Sequence, residues 1–173
     1  MKKINNLIIV VLSVVSYIIA LYNLKRKILV RFLIGISSLI VFLVPKIIRK
    51  FKIEISNKLE LSYLIFVVFA YFLGTVINFY DRIPNYDTLM HFLSGVFEAY
   101  ISIELFKKKS LLDILGFVAL VSVGWEIFEF ISSIILNVDP QKVELTGVTD
   151  TMKDLIVALI GAILILLYKK KKN

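Results

Sequence analysis

The sequence predicts an all-α protein, a polytopic bundle of about six transmembrane helices with both termini in the cytoplasm. Three observations carry that prediction. The chain of 173 residues is 59% hydrophobic, where soluble domains run about 45–50%, and its mean hydropathy is +0.88. Its apolar residues collect into stretches of about the length a bilayer asks of a helix. The charged residues, 20% of the chain, mostly lie between or beyond those stretches. A water-soluble globule, a disordered tail and a coiled coil are thereby excluded. The formal charge of +8 then reads as basic loops against anionic lipid, so membrane lipids are the expected partners and nucleic acid is not.

The first span, about 6–24, follows Lys2 and Lys3 and ends without a small-residue cleavage site, as an uncleaved anchor would. The second, about 28–44, carries Arg31 near its start, where it can snorkel, and Pro45 is expected to close it. Residues 46–60 mix basic and apolar positions and read as a short amphipathic segment on the inner surface. Spans three to six follow at about 61–80, 87–106, 111–136 and 154–168. With a cytoplasmic N-terminus the inner segments hold fourteen basic residues: Lys2, Lys3, Lys46, Arg49, Lys50, Lys52, Lys58, Lys107–Lys109 and Lys169–Lys172. The outer loops hold six: Lys25, Arg26, Lys27, Arg82, Lys142 and Lys153. The positive-inside rule favours this orientation. No repeat or flexible linker divides the chain, so residues 1–173 read as one integral-membrane domain.

The chemistry is bounded by absences. The chain has no cysteine and one histidine, His91, which removes thiolate nucleophiles, Cys-based metal sites and His-rich sites. Any bound metal would be held mainly by carboxylate oxygen, favouring Mg, Mn or Ca. No phosphate-binding glycine loop occurs.

Charges inside hydrocarbon cost roughly 2.5–3.5 kcal/mol each on insertion scales, so their positions carry information. In span five, Gly124-Trp125-Glu126-Ile127-Phe128-Glu129 sets two carboxylates three residues apart, on one side of the helix. In span four, Asp87, His91, Ser94 and Glu98 fall within about 60° of one another. Span six opens with Asp150 and Asp154 on a shared face, continued by the small residues Ala158 and Gly161, which would admit another helix closely. In the expected orientation, Glu126 and Glu129 lie about 22 and 27 Å along their helix from Leu111. Asp87, His91, Asp150 and Asp154 lie within roughly 6 Å of the outer ends of theirs. All six groups thus reach the outer leaflet at one depth.

Structural explanations compete. Asp87 can cap its helix, Thr151-x-x-Asp154 fits a capping box, and Ser110-x-x-Asp113 is best read as one. Glu104 can snorkel or pair with Lys107–Lys109. Glu126 and Glu129 lie far from any helix start and resist this account, unless they pair with Arg82, Arg31 or His91 to lock the bundle. Asp87, His91 and Ser94 have the residue types of a catalytic triad, but a serine three residues from its base on one helix approaches it poorly.

Three motifs carry a resemblance: Tyr86-Asp87 with His91-Phe92 and Gly95; Trp125-Glu126-x-x-Glu129; and Asp150-Thr151-x-x-Asp154-Leu155 with Ala158-Leu159-Ile160-Gly161-Ala162. In this order, over roughly residues 60–165, they resemble the yjdF-like family of bacterial inner-membrane proteins and, more distantly, VanZ-like proteins. The resemblance implies a multi-pass protein of the bacterial plasma membrane, in a family without an established activity. VanZ-like proteins are associated with tolerance of glycopeptide antibiotics. This chain departs from their pattern at Glu129 and Asp154, where an amide is usual.

The residues themselves support three functions. The first is a site in the outer leaflet where Asp87, Glu126, Glu129, Asp150, Asp154 and His91 hold one or two divalent cations that engage a lipid-linked or phosphate-bearing substrate. There His91, Glu126 or Glu129 would do catalytic work, one of them as general base. The second is a structural or regulatory protein with a polar packing core. The third is a proton- or cation-coupled transporter using the same carboxylates as a relay.

Overall fold

The computed structural model describes residues 1–105, 110–136, 141 and 143–172, and among them the chain is all-α, with no strand. It divides into two compact units, residues 1–86 and 87–173.

The first unit is built on α1 (Lys2–Lys25), α2 (Leu29–Lys50) and α3 (Asn57–Val67), the last running on as a π-helical stretch, Val68–Val76. Left-handed backbone at Asn78 (φ 72°) ends that stretch, and the single turn α4 (Phe79–Arg82) follows. The expected third span, 61–80, therefore begins earlier and stops sooner. Its core joins Ile9, Phe42, Leu64 and Val67. Gly35 lies so close to Ala20 that a side chain on it would meet the Ala20 Cβ at 2.8 Å, so α1 and α2 pack backbone to backbone.

Pro45 does not close the second helix; α2 continues through it to Lys50. Proline in a helix leaves the carbonyl four residues back without its donor. Here that carbonyl belongs to Val41, and the Tyr63 hydroxyl donates to it at 2.8 Å. The orphan is satisfied from α3, and the helix has no reason to stop. Residues 46–60 are accordingly not one surface segment, being shared between the end of α2, a short connection and the start of α3. A buried network ties this end together. Arg49 meets Glu60 at 3.0 Å, and Asn5 donates to Glu60 and to the Asn57 carbonyl at 3.0 Å.

The second unit holds α5 (Tyr86–Leu105, its first residue closing the first unit), α6 (Leu111–Leu136), the turn α7 (Val143–Thr146) and α8 (Thr149–Lys172). The box at Ser110 forms as expected: the Ser110 amide donates to Asp113 and the Asp113 amide to the Ser110 hydroxyl. The box at Thr151 does not. α8 begins two residues earlier, at Thr149, so Thr151 lies inside the helix and Asp154 is buried. The core joins Ala99 of α5, Ile114 and Val118 of α6 and Ala162 of α8. α5 and α8 cross with almost no space between backbones: a Cβ on Gly95 would strike the Ala158 carbonyl, and one on Gly161 the Phe92 carbonyl. The small face read in span six thus meets the glycine of span four.

Among the described residues, five helices are long and apolar enough to cross a membrane: Lys2–Lys25, Leu29–Lys50, Asn57–Val76, Leu111–Ile135 and Thr149–Lys169. The expected fourth span is α5, a helix of 20 residues that is not among those five. Asp87, His91, Glu98 and Glu104 lower its hydropathy. The basic residues Lys107–Lys109 and Lys142 lie outside the described residues. Glu104 instead meets Lys169 of α8 at 3.8 Å.

Candidate metal centre

The site lies wholly in the second unit and is assembled from α5, α6 and α8. Helical spacing brings Asp87 and His91, one turn apart, to the same face of α5, and Glu126 and Glu129 to one side of α6. Asp154 enters from the buried face that α8 continues through Ala158 and Ala162. The close approach of α5 and α8 at Gly95 and Gly161 brings that face against His91.

At the centre stands the His91 Nε2 atom. It lies 3.7 Å from Asp87 Oδ1, 3.8 Å from Glu126 Oε1 and 4.0 Å from Asp154 Oδ2. All three distances exceed a hydrogen bond. They are the separations expected of ligands that share an ion, since donors about 2.1 Å from one cation stand about 3–4 Å from each other. Two overlapping groups have donor atoms within 4.8 Å of one another, Asp87–His91–Asp154 and His91–Glu126–Glu129.

Burial sharpens the electrostatics. Glu126 is 6% exposed and Asp154 3%. Glu126 Oε1 and Asp154 Oδ1 are buried without a hydrogen-bond partner. Four carboxylates surround one imidazole, which carries at most a single positive charge. At low dielectric such a cluster cannot stay fully ionised without a cation or protons to neutralise it.

Two polar side chains steady the acids. Gln141 is buried and donates through Nε2 to the Glu126 backbone carbonyl at 3.0 Å and to Glu126 Oε2 at 2.9 Å, which leaves Oε1 turned to His91. Trp125 Nε1 donates to Glu129 Oε1 at 2.8 Å. Gln141 escaped the sequence analysis because it follows Pro140 in a connection with no periodicity to place it. Of the six residues singled out in sequence, five gather. Asp150, one turn before Asp154, is instead ion-paired with Lys153 at 2.6 Å and belongs to neither group. Asp87 lies in the first turn of α5 and not before it, so it is not an N-cap residue. Below the cluster the polar stripe goes on, with Glu98 Oε2, Ser102 Oγ and Ser122 Oγ also buried without partners.

A groove of about 440 Å³ opens beside the cluster. Glu126 and Gln141 supply polar wall, and Val123, Ile127, Phe130 and Leu155 are among the apolar lining.

Across residues 4–171 the chain matches the family described as predicted membrane protein, DUF2238. The chain belongs to that family. It is a multi-pass membrane protein, and its buried carboxylate–histidine cluster falls within the matched region. No curated protein and no solved structure matches this DUF2238 chain.

Proposed function

We propose that this DUF2238 protein holds a divalent cation of the Mg, Mn or Ca class between Asp87, His91, Glu126, Glu129 and Asp154, and uses it on a lipid-linked or phosphate-bearing substrate. One observation carries the reading: an imidazole nitrogen ringed by carboxylate oxygens from three helices at ligand-to-ligand distances, two of those carboxylates keeping a buried, unbonded oxygen. An ion held by these residues would neutralise the acids and supply a Lewis acid for a phosphoryl oxygen. Glu129, less buried than Glu126, would serve as the general base that takes the proton of an attacking water. The groove supports a substrate with a hydrocarbon chain, because its lining is mostly apolar, with polar groups only at Glu126, Gln141 and Thr151. The yjdF-like likeness of the same motifs supports a setting in the bacterial plasma membrane, and the excess of basic residues in the inner segments supports a site toward the outer leaflet.

Thermal unfolding in detergent tests this. Mn²⁺ at about 100 times its Kd stabilises a single-site protein by about 2.7 kcal/mol, so the wild type should unfold several degrees higher with the ion present. Glu126→Gln and His91→Ala should lose that difference. A cluster serving only as polar packing, a reading favoured by the bonds from Gln141 and Trp125, would shift with these substitutions equally with and without metal. That result would refute the site.

A further inference from the structure

The first unit carries a second concave site, far from carboxylate chemistry in kind. A pocket of about 560 Å³ is lined by Lys2, Asn6, Lys46, Arg49, Ser56 and Asn57, among others. It lies where the start of α1, the end of α2 and the start of α3 meet. Arg49 is already engaged, by Glu60 at 3.0 Å and by two bonds to the Ile55 carbonyl. Setting Glu60 against Arg49 leaves Lys2 and Lys46 as two positive charges with no counter-ion among the described residues. Lys3, Lys50, Lys52 and Lys58 follow closely in sequence, against the one acid Glu54, so the surrounding stretch carries net positive charge. Ser56 caps α3 by accepting from the Leu59 amide, which leaves the amides of Asn57 and Lys58 for an acceptor from outside the helix. A positive-inside loop explains the lysines but not their meeting in an open concavity at the ends of three helices.

We propose that this pocket binds a phosphate-bearing anion through Lys2, Lys46 and the amides that open α3. Two sources share that chemistry, an anionic phospholipid headgroup and soluble phosphate. Basic pockets between membrane helices suit headgroups, and the ends of three helices put this one where headgroups lie.

The test uses the full chain in phosphatidylcholine nanodiscs, with phosphatidylglycerol added in one arm and inorganic phosphate in the other. Phosphatidylglycerol should bind the wild type, and the double substitution Lys2→Gln, Lys46→Gln should weaken it roughly thirtyfold, the attraction of two lysines at a charged surface. Removing two equivalent charges at the other end of α1, with Lys25→Gln and Lys27→Gln, should leave it unchanged. Protection by inorganic phosphate that is lost in the same double variant would support the pocket with a soluble source. Asn6→Glu sets a negative charge on the wall without breaking any bond named above, and should weaken binding even if the lysine variant fails to fold. Wild-type affinity in both variants, or an equal loss with the control pair, would overturn the proposal.

Discussion

At the scale of single residues, the site depends on how each acid is held. Glu126 has one oxygen fixed by Gln141 and the other aimed at His91. Gln141→Ala should destabilise the protein by about 1–3 kcal/mol by stripping a buried carboxylate of its donor, as thermal unfolding would show. It should also weaken Mn²⁺ binding, because Oε1 is no longer oriented. The acids themselves were readable in the sequence, since a charge kept in a hydrocarbon span costs too much to be incidental. Their arrangement on shared faces followed from helical spacing alone. Gln141 was not readable, because a glutamine in a connection costs nothing to expose and nothing in its neighbours tells where it folds back. Glu60 was not singled out for a related reason: it stands at the boundary between residues 46–60 and the expected third span, yet it is buried against Arg49 and Asn5.

Among elements, the two features that set the helix positions are a proline and a pair of glycines. Tyr63→Phe should cost about 1–2 kcal/mol by orphaning the Val41 carbonyl. In a Pro45→Ala background, residue 45 regains its amide and the same substitution should cost much less. A double-mutant cycle in chemical unfolding reads that coupling directly. Pro45 was expected to end its helix because local rules count only the lost hydrogen bond, while the donor that replaces it arrives from another helix. For the glycines, Gly95→Ala and Gly161→Ala each drive a methyl into a backbone carbonyl. Each should destabilise the protein by about 1–3 kcal/mol or more and separate His91 from Asp154. Gly116→Ala meets open space within α6 and should be neutral or stabilising by up to about 1 kcal/mol. The small face of α8 was evident in the sequence; that Gly95 and Phe92 are its partners emerged only with the fold.

For the whole molecule, apolar run length and basic loops gave the helical membrane class directly, because hydrocarbon thickness is a strict ruler. Helix ends were less accurate, since α2 and α8 run beyond their apolar stretches and the third span begins earlier and stops sooner than its own. Orientation is set by charges that do not fold into the site, so it has its own test. With no native cysteine, Pro84→Cys and Val148→Cys should react with an impermeant thiol reagent in whole cells, and Lys109→Cys should not. The reverse pattern would turn the carboxylate–histidine cluster to the cytoplasm. Electron paramagnetic resonance of the detergent-purified protein titrated with Mn²⁺ tests whether three helices converge on one ion. About one ion should bind per chain at saturation, with ¹⁴N coupling from the His91 imidazole that disappears in His91→Gln. Bound Mn²⁺ without nitrogen coupling, or no bound Mn²⁺ at all, would contradict that convergence.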